Sequence, residues 1–281
     1  MFFTMNMMKT HTSFASMYKA MLEDVLFEPD YVASPRGKEV KERCNTRYVC
    51  SNPMSNLFIN KARSIPKKYL AGELLWYFTG DNKLDTISKY SGFWSGIAND
   101  DGTLNSAYGH LLFNKHNGLP YSQWQWAIKS LIDDKDSRQA VMYFGRPDYQ
   151  IDGTKDFVCT TYAMLLIRNN KLHMHLYMRS NDIIKGATFD IPFFMLLQQQ
   201  AWKQLKVKYE DLELGSYFHN ATSLHLYEPD YGLANEMLRQ PFEEHALPEI
   251  KHFLVDFDGT CRIADQNDTE DELFTWLYTN S

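Results

Sequence analysis

Residues 156–191 read DFVCTTYAMLLIRNNKLHMHLYMRSNDIIKGATFDI. Two apolar runs, 158–167 and 171–178, are joined by Arg168-Asn169-Asn170, so the pair reads as a β-hairpin. Strand side chains alternate, which puts His173, His175, Tyr177 and Arg179 on one face of the second strand. The period then changes to that of a helix over 190–204, DIPFFMLLQQQAWKQ, with Pro192 tolerated in its first turn. Asp190 begins that helix, and its ordinary structural reading is an N-cap.

Outward from this segment the pattern divides. Toward the N-terminus the spacing predicts helices over 12–28, 66–79 and 122–133, a short one over 84–90, and a turn at SPRGKE, 34–39. Strands follow at 139–144, in the region 211–227 and at HFLVDF, 252–257, before a polar end. Strands with both short and long connections imply an α+β fold, a mixed β-sheet packed with helices. No repeat or Pro/Gly/Ser-rich linker interrupts the chain, so one catalytic domain is expected over 1–281.

With 281 residues, 44% hydrophobic and 15% aromatic, the chain can bury a large core. A formal net charge of -6 excludes a global basic field, so DNA and RNA are not expected partners. An anionic ligand needs a local arginine cluster instead. The four cysteines, Cys44, Cys50, Cys159 and Cys261, form no CxxC pair, which fits a reduced, cytoplasmic protein. The N-terminus lacks the apolar run of a signal peptide, and no stretch approaches the ~18 apolar residues of a membrane span.

Four features carry chemistry: Cys159 in DFVCT, Arg138 in DSRQ, the run MRSND at 178–182, and SLHLY at 223–227. Singly, each has a plain structural reading: a core cysteine, a solvated arginine, satisfied strand polar groups. VDFDGT at 255–260 imitates the nucleophile motif of haloacid-dehalogenase-like phosphatases, but too little chain follows it for that fold. His173 and His175, with His219 or His225, could suggest a metal, but no ligand spacing completes the set, and no metal is expected.

Taken together and in order, SPRG (34–37), GELLWY (72–77), FWSGIANDDGTLNSAYG (93–109), DSRQ (136–139), DFVCT, MRSNDIIKGATFDI (178–191) and SLHLY resemble the thymidylate synthase superfamily, on the side of its phage deoxycytidylate hydroxymethylases. The resemblance spans roughly residues 12 to 227; the tail from about 250 to 281 diverges. It implies a homodimer built on one sheet face, with Arg138 reaching into the partner's site. Cys159 falls on the nucleophile and Glu73 on the catalytic glutamate. Arg36, Arg138, Arg179 and Ser180 fall on phosphate-binding positions, His225 and Tyr227 on the pair that binds the sugar hydroxyl. Trp94, Tyr108, Asp182 and Gly186 fall on positions near folate, so the implied co-substrate is 5,10-methylenetetrahydrofolate. A second arginine usual beside Arg138 is replaced by Gln139.

The chemistry agrees with that implication. Pyrimidine C5 is a poor nucleophile until a thiolate adds at C6. Nearby arginines are expected to favour that thiolate. Asp190 stands where the synthases carry an asparagine. A carboxylate accepts from the 4-amino group of cytosine, and pairs with N3 if that atom gains a proton; uracil O4 would face it acceptor to acceptor. The expected reaction is therefore conversion of deoxycytidylate, methylenetetrahydrofolate and water to 5-hydroxymethyl-deoxycytidylate and tetrahydrofolate. Thr160, Met178 and Ile97, each differing from the synthases, and the polar Thr279-Asn280-Ser281 end favour hydration over reduction. A C5 methylase of deoxyuridylate or deoxycytidylate, or a ribonucleotide hydroxymethylase, are the alternatives.

Overall fold

The computed structural model describes residues 9–116, 118–251, 254–256 and 271–281. In chain order the elements are β1 (Thr10–His11), α1 (Phe14–Phe27), β2 (Tyr31–Ala33), β3 (Val40–Cys50), β4 (Leu57–Ile59), α2 (Lys67–Phe78), α3 (Leu84–Ile87), α4 (Tyr108–Phe113) and α5 (Gln123–Asp133). Then come β5 (Val141–Tyr143), β6 (Thr160–Arg168), β7 (Lys171–Met178), β8 (Asn181–Asp182), α6 (Ala187–Lys206), β9 (Glu213–Tyr227), α7 (Tyr231–Leu238), β10 (Glu243–His245) and α8 (Glu272–Asn280).

The main sheet runs β1-β3-β9-β7-β6-β5, with β2 on β3 and β8 on β9. It is mixed: β9 is antiparallel to β3 but parallel to β7 and β8. The hairpin is tighter than the sequence suggests. Arg168 belongs to β6 and pairs with Lys171, leaving only Asn169 and Asn170 as the turn. Both have positive φ, 51° and 58°, as a two-residue hairpin turn that follows the strand twist requires.

One sheet face is fully buried. Ala163, Leu165, Ile167, Leu172, Met174 and Leu176 alternate onto it. Phe193, Phe194, Leu196 and Leu197 of α6 belong to the same core. The other face, with Tyr162, His175, Tyr177 and Phe218, is half-buried.

Helix α6 begins earlier than its sequence pattern implies. The Gly186 carbonyl accepts from Phe189 and from Asp190 N–H at 2.8 and 2.9 Å. Asp190 is thus inside the first turn, not at the cap, and Pro192 lies inside the helix, where its missing N–H leaves the Thr188 carbonyl without that partner.

The chain end also differs from its reading. Asp271 caps α8 by accepting from Leu273 and Phe274 N–H, and Leu273, Phe274 and Leu277 are buried against the core, with α8 packed on α2. The strand expected over 252–257 falls partly outside the described residues, as do most of VDFDGT and Cys261. Among the described residues no helix is long and apolar enough to cross a membrane.

Candidate active site

Cys159 immediately precedes β6, and a register shift between Thr160 and Tyr162 bulges the strand just beyond it. Bulges re-aim side chains at sheet ends. Arg179 follows β7 and donates its backbone N–H to the Cys159 carbonyl at 2.9 Å, so strand pairing sets the two residues side by side. The guanidinium donates to the carbonyls of Val158 (3.0 Å) and Phe157, lies 4.8 Å from the Phe157 ring centre, and approaches the Cys159 sulfur at 3.7 Å. Its Nη1 has no protein acceptor among the described residues, so it keeps donors for an anion. Burial nevertheless outweighs this cation: it pushes the thiol up to about 11, with Arg179 pulling downward. Arg179 thus favours the thiolate as the sequence leads one to expect, but burial has the larger effect.

Three carbonyl- and hydroxyl-bearing segments frame the thiol. Asp156 accepts from the backbone N–H of Ser106 at 2.7 Å and from its hydroxyl, fastening the loop before α4 to the loop before β6. The Thr160 hydroxyl donates to Tyr108 Oη at 3.0 Å. Tyr108 stacks on Tyr77 at 5.1 Å. That stack depends on Gly109, where a Cβ would lie 1.5 Å from the Tyr77 carbonyl oxygen. No other residue lets α4 cross α2 so closely.

Helix α2 aims a carboxyl inward. Tyr69, Glu73 and Tyr77 recur at i, i+4 and i+8, one stripe of the helix. Both tyrosine hydroxyls donate to Glu73 Oε1, at 2.8 and 3.4 Å, and Trp94 Nε1 donates to Tyr69 Oη at 3.2 Å. Burial pushes Glu73 up to about 8, and the charge of Asp190 adds to it. Glu73 is therefore a neutral acid at pH 7, able to give up a proton. Tyr69 edges onto Phe189 at 4.7 Å, one residue before Asp190, which ties the two carboxyls to one wall.

Asp190 is half-buried, with protein packed around its carboxyl. Asn181 Nδ2 donates to its Oδ2 at 3.0 Å. Burial pushes Asp190 up to about 7, with the Asn181 hydrogen bond opposing and the charge of Asp182 adding. Gly186 sits against this pair: a Cβ there would be 2.9 Å from Asn181 Nδ2 and 3.0 Å from Asp190 Oδ2. The sequence associates Gly186 with folate; its position explains the glycine through the Asn181–Asp190 contact.

Asp182 Oδ1 accepts from Ile184 and Lys185 N–H at 2.8 and 2.9 Å, organising the turn into α6. Its other oxygen has no protein donor among the described residues. In the parallel β8–β9 pair Asp182 lies opposite His225. Burial raises the Asp182 carboxyl and lowers the His225 imidazole, each moderated by the other. His225 and Tyr227 meet edge to face at 5.2 Å on the same strand face.

Contacts and charge couplings thus link Cys159, Arg179, Tyr108, Glu73, Asp190, Asp182 and His225, with Trp94 joined through Tyr69, Gly186 against Asp190 and Tyr227 against His225. Ser180 lies between Arg179 and Asn181 and is half-buried. Arg36 and Arg138 are different. Both are exposed and make no hydrogen bond or ion pair among the described residues. Arg36 holds a left-handed φ of 54° before Gly37.

Sequence reading missed Tyr69, Tyr77 and Asn181. The first two were recoverable from their spacing about Glu73; Asn181 offers no pattern of its own. His173 accepts from Ser216 N–H at 3.0 Å and His175 stacks flat on Phe218 at 4.2 Å, so neither joins the site. Among the described residues no group of His, Cys, Asp or Glu is arranged to hold a metal.

Comparison with known proteins gives this geometry a lineage. The profile of the family described as thymidylate synthase matches residues 16–259. The chain is 29% identical over 217 residues to deoxycytidylate 5-hydroxymethyltransferase of Enterobacteria phage T4, covering 75% of this chain and 85% of that one. It is 30% identical over 225 residues to deoxyuridylate hydroxymethyltransferase of Bacillus phage SP01, covering 77% of this chain and 57% of the relative. Its fold matches that of thermostable thymidylate synthase A from Bacillus subtilis with a TM-score of 0.67 at 22% identity, over 88% of this chain and 91% of that one. Family match and fold agree: the chain belongs to the thymidylate synthase family, a family of one-carbon-transferring enzymes.

Proposed function

We propose that this protein is a deoxycytidylate 5-hydroxymethyltransferase, using 5,10-methylenetetrahydrofolate and water. The observation that carries this reading is Asp190, a half-buried carboxyl held by Asn181 and pushed up to about 7, where the synthases carry an amide. At neutral pH it can hold one proton. A protonated carboxyl donates to N3 of cytosine with one oxygen and accepts from the 4-amino group with the other, which removes any need to protonate the free base.

In this reading the Cys159 sulfur bonds to C6 while its thiol proton passes to water and the Asp190 proton moves to N3, so that the neutral ring adduct is enamine-like at C5. The folate supplies a carbon at the oxidation level of formaldehyde. Asp182, with an oxygen free of protein donors, would accept from the pterin, and Trp94 and Tyr108 would line its approach. Glu73, protonated and held by Tyr69 and Tyr77, is suited to deliver and recover protons through water. Arg36, Arg179 and Ser180 would take the phosphate, which draws on the spare donors of Arg179. His225 and Tyr227 would hold the sugar hydroxyl. Arg138, exposed and unpaired in its own subunit, would serve the partner's site, with the half-buried aromatic sheet face as the dimer contact. Thr160, buried next to Cys159 and donating to Tyr108, would act on the hydration step only by positioning the Tyr108 hydroxyl.

The direct test is product analysis. Enzyme, deoxycytidylate and methylenetetrahydrofolate are expected to give 5-hydroxymethyl-deoxycytidylate and tetrahydrofolate, and Cys159→Ser to abolish both. Growth of dihydrofolate absorbance with a methylated base would replace hydration by the synthase reaction. Asp190→Asn is expected to shift the ratio of kcat/KM from deoxycytidylate toward deoxyuridylate by about 5- to 150-fold, the range for one lost buried hydrogen bond.

A further inference from the structure

Behind Asp190 runs a chain of buried polar groups that no step above uses. Asn181 Nδ2 reaches Asp190 Oδ2 at 3.0 Å. Asn181 Oδ1 meets His219 Nε2 at 3.0 Å, and His219 Nδ1 meets Tyr217 Oη at 3.1 Å. Tyr217 and His219 are fully buried, and Asn181 nearly so at 2% exposure. Tyr217 and His219 are alternate residues of β9, facing α6 through the closed side of the sheet.

The direction of this chain follows from its far end. When Asp190 is ionised, both its oxygens only accept, so Asn181 must offer its amide N–H. Its carbonyl oxygen then faces His219, which must carry its proton on Nε2. Nδ1 is left bare, and Tyr217 must donate to it. Burial holds His219 neutral, with its imidazole pulled down to about 3, so it cannot donate from both nitrogens. When Asp190 takes up a proton, the same direction favours Oδ1 as its site, because Oδ2, which takes the Asn181 N–H, is the better acceptor as a carbonyl than as a hydroxyl oxygen. For Oδ2–H to donate to Asn181 instead, the amide would have to turn over, His219 change tautomer and Tyr217 swing its hydroxyl, all inside a packed core.

This matters because a carboxylic acid alone is degenerate. Cytosine shows an acceptor at N3 beside a donor at the 4-amino group; uracil shows the reverse. A carboxyl free to place its proton on either oxygen could pair with both. We infer that Tyr217, His219 and Asn181 form a one-way hydrogen-bonded relay that pins the Asp190 proton to one oxygen, making His219 and Tyr217 positioning residues for base selection. The inference rests on the reading of Asp190 as the group that meets the base. Gly186 belongs to the same device, since a side chain there would press on the Asn181–Asp190 hydrogen bond.

The test has two arms. In the wild-type protein labelled with ¹⁵N-histidine, His219 is expected as the Nε2–H tautomer at pH 6 and at pH 8; an Nδ1–H tautomer, or a switch between them across pH 7, overturns the relay. In the second arm, kcat/KM for deoxycytidylate and deoxyuridylate is compared in His219→Leu, His219→Gln and Asp190→Asn. His219→Leu is expected to lower discrimination against deoxyuridylate by about 10-fold, the upper range for one hydrogen bond between neutral groups. His219→Gln, which can still offer an N–H to Asn181, is expected to restore most of it. If Asp190→Asn changes base preference while a folded His219→Leu does not, the relay is wrong and the reading of Asp190 stands. If Asp190→Asn leaves preference unchanged, both fall. Should His219→Leu not fold, the tautomer measurement decides.

Discussion

Asp190, Glu73 and Cys159 share one physical circumstance: each is buried enough that its neutral form is favoured. For Asp190 the consequence can be read in pH. Its carboxyl has been raised from the ordinary carboxylate range to about 7, so on the proposed pairing the proton offered to cytosine N3 is present below that pH and lost above it. KM for deoxycytidylate is expected to be level near pH 6 and to rise about tenfold per unit above pH 7. The rise should be absent in Asp190→Asn, which cannot titrate. Steady-state kinetics between pH 6 and 9 checks both. At this scale the sequence was informative where a residue departed from its relatives, as at Asp190, and silent where a residue acts through another. Asn181 sits between Ser180 and Asp182 with nothing in its neighbours to mark it; only the register that sets β8 beside β9 brings it to His219.

Among the elements, the pairing of α2 with α4 controls the aromatic wall of the site. Gly109→Ala would drive a methyl group into the Tyr77 carbonyl and force the helices apart. It is expected to cost about 3 kcal/mol or more, at the upper end of overpacking in a core, and to lower kcat by loosening the Tyr77–Tyr108 stack. Denaturant unfolding and turnover measured together check this. The hairpin, α1 and α5 were legible because one face of each is apolar at a fixed period, and α2 because Pro66 and Gly80 bracket a run that is buried nearly all round. The start of α6 was not, because Gly186-Ala187-Thr188 lacks a side-chain cap and the proline invites a later start. Strand β3 was missed because its middle, Lys41 to Arg47, is polar and partly exposed while it pairs with β9 along most of its length. Helix α8 was hidden for the opposite reason: its polar last residues masked Leu273, Phe274 and Leu277, which turn inward together.

For the whole molecule, the half-buried sheet face and the unpaired Arg138 raise the question of a second subunit. Tyr162 and Tyr177 stack at 4.5 Å on that face, beside the His175–Phe218 stack. If two copies exchange Arg138, then Cys159→Ser and Arg138→Ala, each weak alone, should regain activity when refolded together. Hybrid dimers then contain one site with both residues intact. Sedimentation at working concentration should give twice the chain mass, and mixing without any gain would assign Arg138 to its own subunit.

The bond from Asp156 to Ser106 has a mechanical corollary. It couples the backbone three residues before the sulfur to the backbone two residues before Tyr108. Cys159 and the Tyr108 ring are therefore tethered into one jaw, and motion that separates them has to break the Asp156–Ser106 contact first.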